Sequence, residues 1–253
     1  MGATAVEFRL RMLINAAIIT LGLWAPWIGT WIDPLGMGKR ISLLEWLALH
    51  LARLGALPFT LATPAVIVAG SIVAALAVLL RVSGSAWLGP VTVSHPLMQA
   101  GAVVASGPYR FMRNPLYLGV WFMIAAMALV MPPSGALVAM VLLTFFLIRL
   151  TLGEEKFLSA RIGQPYRDYL QAVPRFFPRL RSPLPPSGAK PHWLRAVLSE
   201  LTPIGVFIAV AFFSWSYDHM LMLKAILISF GASLVVRAFL RGAPQEASPA
   251  GTA

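Results

Sequence analysis

Two adjacent carboxylates, Glu154 and Glu155, follow an apolar run in a chain that holds only 9 Asp and Glu among 253 residues. Side by side at a helix C-terminal end they repel each other and oppose the helix dipole. A cationic ligand beside them would relieve both effects; a solvated surface face is the plainer alternative. Before them stands Gly107-Pro108-Tyr109-Arg110-Phe111-Met112-Arg113-Asn114-Pro115-Leu116-Tyr117-Leu118-Gly119, which carries two arginines, two prolines and two tyrosines. Taken singly, these have structural explanations. The arginines serve as membrane-side anchors, the tyrosines as interfacial residues, and Pro115 as a helix start.

A membrane hairpin would bring the two clusters together. Pro115 lacks an N–H and fits a first helical turn. Apolar helices are predicted over 115–131 and 134–151, joined by a turn at Met131-Pro132-Pro133-Ser134-Gly135. At about 1.5 Å rise per residue, each crosses most of a hydrocarbon core about 30 Å thick. Arg113–Tyr117 and Glu154-Glu155 are then expected at one membrane surface.

Composition supports this setting. The chain is 58% hydrophobic and 11% charged, whereas soluble domains are about a quarter charged. With no cysteine there is no disulfide, thiolate metal site or thiol nucleophile. His50, His95, His192 and His219 have no ligand spacing, so no metal is expected. The net charge of +11 reflects basic membrane-flanking loops, not nucleic-acid binding.

The fold class read from the chain is all-α: a polytopic membrane helix bundle of about six transmembrane helices plus an interfacial helix. Residues 1–57 hold a first span (10–32, with Trp24, Trp27 and Trp31 at its end), a turn at Asp33-Pro34-Leu35-Gly36, and an amphipathic segment, 41–57. That segment, with Glu45, His50 and Arg53, suits the interface better than a full crossing. Residues 58–181 form the core, with a span at 58–80, a polar loop at 81–114, the hairpin, and a stretch broken by Pro165 and Pro174. Residues 182–253 hold a Pro-rich linker, spans at 201–217 and 221–240 separated by Asp218 and His219, and a disordered tail.

Six crossings put both termini on one side. That side then holds sixteen of the 20 Lys and Arg, leaving Lys39, Arg40, Arg53 and Lys224 opposite. The asymmetry makes it the cytoplasmic side. A bacterial inner membrane is the expected location.

The motif Gly-Pro-Tyr-x-x-x-Arg-Asn-Pro-Leu-Tyr-Leu-Gly, then Glu154-Glu155-x-x-Leu158, Gly163-x-x-Tyr166-x-x-Tyr169 and Val173-Pro174-Arg175, resembles the isoprenylcysteine carboxyl methyltransferase family and the related phospholipid methyltransferases. The resemblance covers residues 90–180. It implies S-adenosylmethionine as methyl donor, bound on the cytoplasmic side, and a lipid-like acceptor entering from the bilayer. By position, Tyr109, Arg113, Asn114, Pro115, Leu116 and Tyr117 would line the donor site. Gly101, Ala102, Val103 and Val104 would hold the donor with backbone groups, and Glu154 would contact it. A carboxylate can bind the donor's hydroxyls or amine, and helix-start N–H groups its carboxylate.

The chain departs from the family pattern at two places. Asn114 stands where the family usually has His. Leu150 stands where the carboxyl methyltransferases have an acceptor-binding arginine, and Arg149 is displaced by one residue, about 100° around a helix. Arg149 is still a functional candidate as a charge at the membrane edge. Direct in-line transfer would require positioning and water exclusion. A general base is needed only for an amine or hydroxyl acceptor, and Glu155 is the candidate.

Two competing readings are an NADPH-dependent membrane reductase of the sterol-reductase type and a non-enzymatic transporter or scaffold. The first is disfavoured because Arg161-Ile162-Gly163 replaces the expected Lys-Tyr-Gly and the chain has no Cys. The second is disfavoured because no internal repeat is visible. The orientation is testable by reporter fusion: a reporter on the N-terminus is expected to give a cytoplasmic signal, and a periplasmic one would mean that 41–57 also crosses.

Overall fold

The computed structural model describes residues 2–24, 41–88, 105–185, 190–216 and 218–242. Among these residues every regular element is helical: α1 (Ala5–Arg9), α2 (Arg11–Leu23), α3 (Leu43–Arg53), α4 (Phe59–Leu88), α5 (Pro115–Met127), α6 (Pro133–Ile162), α7 (Gln164–Ala172), α8 (Trp193–Ser199), α9 (Leu201–Ala211) and α10 (His219–Gly242), with short 3-10 turns.

The long helices are apolar on the outside as well as the inside. Leu61, Val68, Ile72, Leu76 and Leu79 stand exposed along α4, and Leu137, Val141, Phe145 and Ile148 along α6. Water would penalise such faces; lipid does not. From Phe59 to Leu79 the α4 axis advances about 30 Å, a full hydrocarbon thickness. Both stripes stop just short of an arginine, Arg81 on α4 and Arg149 on α6. The last turns of both helices therefore stand clear of the apolar band, at one polar end of the bundle.

Two helices, α4 and α6, are long and apolar enough to cross a membrane. The pair α8–α9, bent by 67°, makes a third if counted as one span. Arg11–Leu23, Pro115–Val130 and Met220–Val236 are apolar but shorter. The count of six thus rests on helices that fall short of a full crossing by length. Helix α3, with 11 residues, reaches only about 16 Å and cannot cross alone. Its Ser42–Glu45 capping box starts it, and Leu43 N–H donates to Met131 O at 2.8 Å. It is thereby fixed beside the hairpin turn, at the end opposite Arg81 and Arg149.

Expected boundaries moved at several places. Helix α4 runs on to Leu88, past the expected end of its span at residue 80, so the expected polar loop 81–114 begins as helix. The hairpin turn is confined to Met131-Pro132, because Pro133 already opens α6. Helix α6 does not end near residue 151 but runs through Glu154 and Glu155 to Ile162. The carboxylates are therefore mid-helix, and the expected conflict with the helix dipole at a C-terminal end does not arise. The linker that starts at Ser182 is bonded to the core: Ser182 Oγ donates to Arg110 O, and Arg110 to Leu184 O. Trp27, Trp31, the turn at Asp33–Gly36 and the tail beyond Gly242 lie outside the described residues.

Small residues let the helices approach closely. A Cβ on Gly135 would collide with Gly22 O, and one on Gly22 would lie 2.9 Å from Ala139 Cβ. Van der Waals packing of this kind, not water exclusion, holds helices together in lipid. Gly135→Val is expected to cost about 1–3 kcal/mol, the usual range for overpacking, read as a lower apparent unfolding midpoint in detergent. Ala17→Val, at an exposed position on α2, is expected to leave the midpoint unchanged.

Candidate active site

The motif 107–119 turns sharply before it enters α5. Gly107 sits at φ 53°, and a side chain there would run into the Trp87 ring. The 3-10 turn Gly107–Arg110 buries Tyr109. Its hydroxyl points to Gly84 O on α4 (3.4 Å), and its carbonyl accepts from Tyr169 Oη on α7 (2.8 Å). Burial pushes the Tyr109 phenol well above its ordinary pKa, and the charge of Glu154 adds to the rise. Tyr109 therefore stays protonated and can donate. Leu116 packs against Gly84, where a Cβ would lie 2.7 Å from its Cδ2.

Asn114 is the N-cap of α5, and Pro115 takes the first helical position, fully buried. The Asn114 side chain does not cap. Its Nδ2 and its backbone N–H both donate to Arg175 O, at 3.1 and 3.2 Å. Arg113 N–H donates to Pro174 O at 2.9 Å, and Arg179 N–H to Phe111 O at 3.1 Å. Residues 174–184 thus form a strap that runs back along the motif.

The hairpin brings Tyr117 and Glu154 together. Tyr117 Oη donates to Glu154 Oε2 at 2.8 Å. Glu155, one position on, faces another way. Arg175 grips it with two bonds, Nε to Oε1 at 3.1 Å and Nη2 to Oε2 at 2.8 Å, and Arg113 Nη1 lies 3.2 Å from Oε1. The adjacent acids therefore differ. Among the described residues Glu154 makes no ion pair, with Arg11 only at longer electrostatic range. Its Oε1 keeps lone pairs for a ligand.

Arg149 is paired as well. Nη2 lies 2.9 Å from Glu7 Oε1 and 3.0 Å from Oε2, and Nε donates to Oε1 at 3.2 Å. The Arg149 hydrogen bonds, followed by the Thr4 backbone N–H, hold the Glu7 carboxyl down at about 2. Leu150 lies in a core cluster with Phe8 and Leu147. Ala102, Val103 and Val104 lie outside the described residues.

A further acid was not singled out from sequence. Glu200 is fully buried at the break between α8 and α9. Arg81 bonds it through Nε to Oε2 (2.8 Å) and Nη2 to Oε1 (2.7 Å), and Ser85 Oγ donates to Oε1 (2.5 Å). Arg81 also packs on α5: a Cβ on Gly119 would lie 2.7 Å from its Cγ. The available signal was an acid and an arginine each bordering an apolar run, which in a membrane protein calls for a partner.

Residues 64–164 match the family model described as phospholipid methyltransferase. The family is a methyltransferase family, and the match agrees with the resemblance drawn from the motifs. The matched stretch contains both walls of the site, Tyr109–Gly119 and Glu154-Glu155, whereas Glu7, Arg11, Arg175 and Glu200 lie outside it. No curated protein and no solved structure matched the chain.

Removing one member of a buried ion pair strands the other charge, typically at a cost of about 3–5 kcal/mol, whereas removing both can be near neutral. Glu200→Ala is therefore expected to lower the apparent unfolding midpoint strongly. Arg81→Met combined with Glu200→Met is expected to lie closer to wild type than either single change. Equal losses in singles and double, read by thermal scan in detergent, would mean that the pair does not act as a unit.

Proposed function

We propose that this protein is an integral membrane methyltransferase that uses S-adenosylmethionine and acts on a hydrophobic or lipid-like acceptor at the cytoplasmic membrane face. The three shorter apolar helices and the bent α8–α9 pair cross with α4 and α6 in this reading, giving six spans with the polar end inside the cell. The observation that carries it is the Tyr117–Glu154 bond. It joins the two halves of the family motif at the edge of the apolar band, around a carboxylate that makes no ion pair among the described residues.

The chemistry of these residues suits the donor. The bound donor supplies an activated methyl group on a positively charged sulfur. Glu154 offers carboxylate oxygen to an ammonium, to hydroxyls or to the positive field of such a ligand. Tyr117 holds that carboxylate in place, and Tyr109, Pro115 and Leu116 contribute aromatic and apolar walls. Backbone groups at 102–104 would complete the binding. Asn114 and Arg113 act chiefly by holding the strap, since their N–H groups bond Pro174 and Arg175 carbonyls.

Catalysis then rests on positioning and on excluding water. Both Glu155 oxygens face guanidinium groups, so the lone pairs that a base would use are occupied while those pairs hold. Arg149 likewise faces Glu7 rather than an acceptor. The reading therefore suits an acceptor atom that attacks without first losing a proton to the protein, as a carboxylate does.

Calorimetric titration of S-adenosylmethionine into purified protein tests the proposal. Wild type is expected to bind saturably. Glu154→Ala is expected to weaken binding about 10- to 150-fold, the worth of a hydrogen bond to a charged group, and Tyr117→Phe to weaken it less. Folded wild type that fails to bind the donor in native lipid extract, or binds NADPH instead, would overturn it.

A further inference from the structure

The strap has two faces with different partners. Its inward groups are bonded to the site: Arg175 to Glu155, the Pro174 and Arg175 carbonyls to the Arg113 and Asn114 N–H groups, and Leu184 O to Arg110. Its outward groups are apolar and basic in alternation. Phe177 is 86% exposed and Leu180 fully exposed, flanked by exposed Arg179 and Arg181. Among the described residues neither arginine makes an ion pair. Large apolar side chains set between unpaired cations are costly in water and suited to an anionic lipid surface.

The height of the strap fits. Glu155, which anchors it, lies seven helix positions beyond Ile148, the last lipid-facing residue of α6. That is about 10 Å along the axis, a few ångströms above a headgroup region about 5–8 Å deep. The start of α8 stands at the same level, because His192 N–H donates to Ala86 O on α4 at 2.9 Å, seven positions beyond Leu79. There Trp193 and Leu194 are 51% and 75% exposed, and α8 bends by 67° from α9 instead of continuing it. Two elements thus present apolar side chains and arginines next to the headgroup region.

We propose that the strap 174–184 and the start of α8 form a binding surface for anionic phospholipid headgroups, and that its occupancy holds the motif 109–114 in its site-forming position. Leu180 and Phe177 enter the interface while Arg179 and Arg181 meet phosphates. Because the strap's backbone carries the hydrogen bonds of Arg113 and Asn114, ordering its outer face orders the entrance to α5. The lipid-binding half stands on the surface alone, and the coupling half rests on the methyltransferase reading.

The absence of cysteine allows a single-site probe. Leu180→Cys, carrying an environment-sensitive dye, is to be placed in nanodiscs of phosphatidylcholine with or without phosphatidylglycerol. Expected in the anionic discs are a blue shift and quenching by shallow spin-labelled lipid. Both are to diminish at high salt and on adding Arg179→Gln and Arg181→Gln, about fivefold in association per arginine. These arginines are exposed, so the variants keep the fold. A dye that stays in water in both discs, or inserts equally in both regardless of salt, would overturn the lipid site.

Donor titration in the same two disc types reads the coupling. At least threefold tighter binding is expected in anionic discs, with the gain lost in the double arginine variant. Equal affinity in both discs would overturn the coupling while leaving the dye result to decide the surface. Failure of the donor to bind in either disc would remove the methyltransferase reading, and the coupling with it; the dye would still decide the lipid site.

Discussion

A charge at the edge of the hydrocarbon layer is costly unless a partner neutralises it, and the polar end of this bundle is organised around that constraint. Arginines outnumber acids there, and three of the acids are each met by at least one. Glu7 takes Arg149, Glu155 takes Arg113 and Arg175, and Glu200 takes Arg81. Each pairing joins segments far apart in sequence. Glu154 is the exception, answered by a tyrosine hydroxyl instead of a cation. A carboxylate that makes no ion pair among the described residues, with so many arginines nearby, is a place where a cationic ligand can supply the missing charge.

The pairs can form only because the helices are already close. Lipid tails are as apolar as leucine, so burying leucine drives nothing between helices in a membrane. Contact depends on shape, and here the shape comes from glycine and alanine: Gly22 against Gly135, Gly84 against Leu116, Gly119 against the Arg81 stem. The last two lie on the α4–α5 interface that leads directly to Tyr109 and Tyr117. Packing of small residues and pairing of charges are thus two parts of one arrangement, the first setting the distance at which the second is favourable.

The hairpin and its meeting point were legible because they depend on local signals. Pro115 marks a helix start, Met131-Pro132 marks a turn, and two apolar runs of similar length return the chain to the same level. The end of α6 was misread for a physical reason. The change from apolar to polar at residue 151 marks the membrane edge, not the helix end. The helix continues because Leu158 and Ile162 pack against Tyr166, Tyr169 and Val173, and it stops at Gly163, which adopts φ 81°. Glu200 and Arg81 were not legible as a pair. Their separation is 119 positions, and helical periodicity reports which face is apolar, not which distant residue will cover a charge.

The stretch that matches the family, 64–164, is not a self-sufficient site. Cut at those limits, Arg81 would lose Glu200, Arg149 would lose Glu7, and Glu155 would lose the bidentate Arg175. Three charges at the membrane edge would be stranded or half-paired around Glu154 and Tyr117. The N-terminal segment does more than supply Glu7. Ala3 N–H donates to Arg149 O at 2.7 Å, and a Cβ on Gly153 would lie 2.7 Å from Ala3 O. The first residues therefore rest directly on the α6 backbone beside Glu154, and Arg11 brings a guanidinium within electrostatic range of Tyr117 and Glu154. The flanking segments thus support the site from outside the matched stretch, through Glu7, Arg11, Arg175 and Glu200.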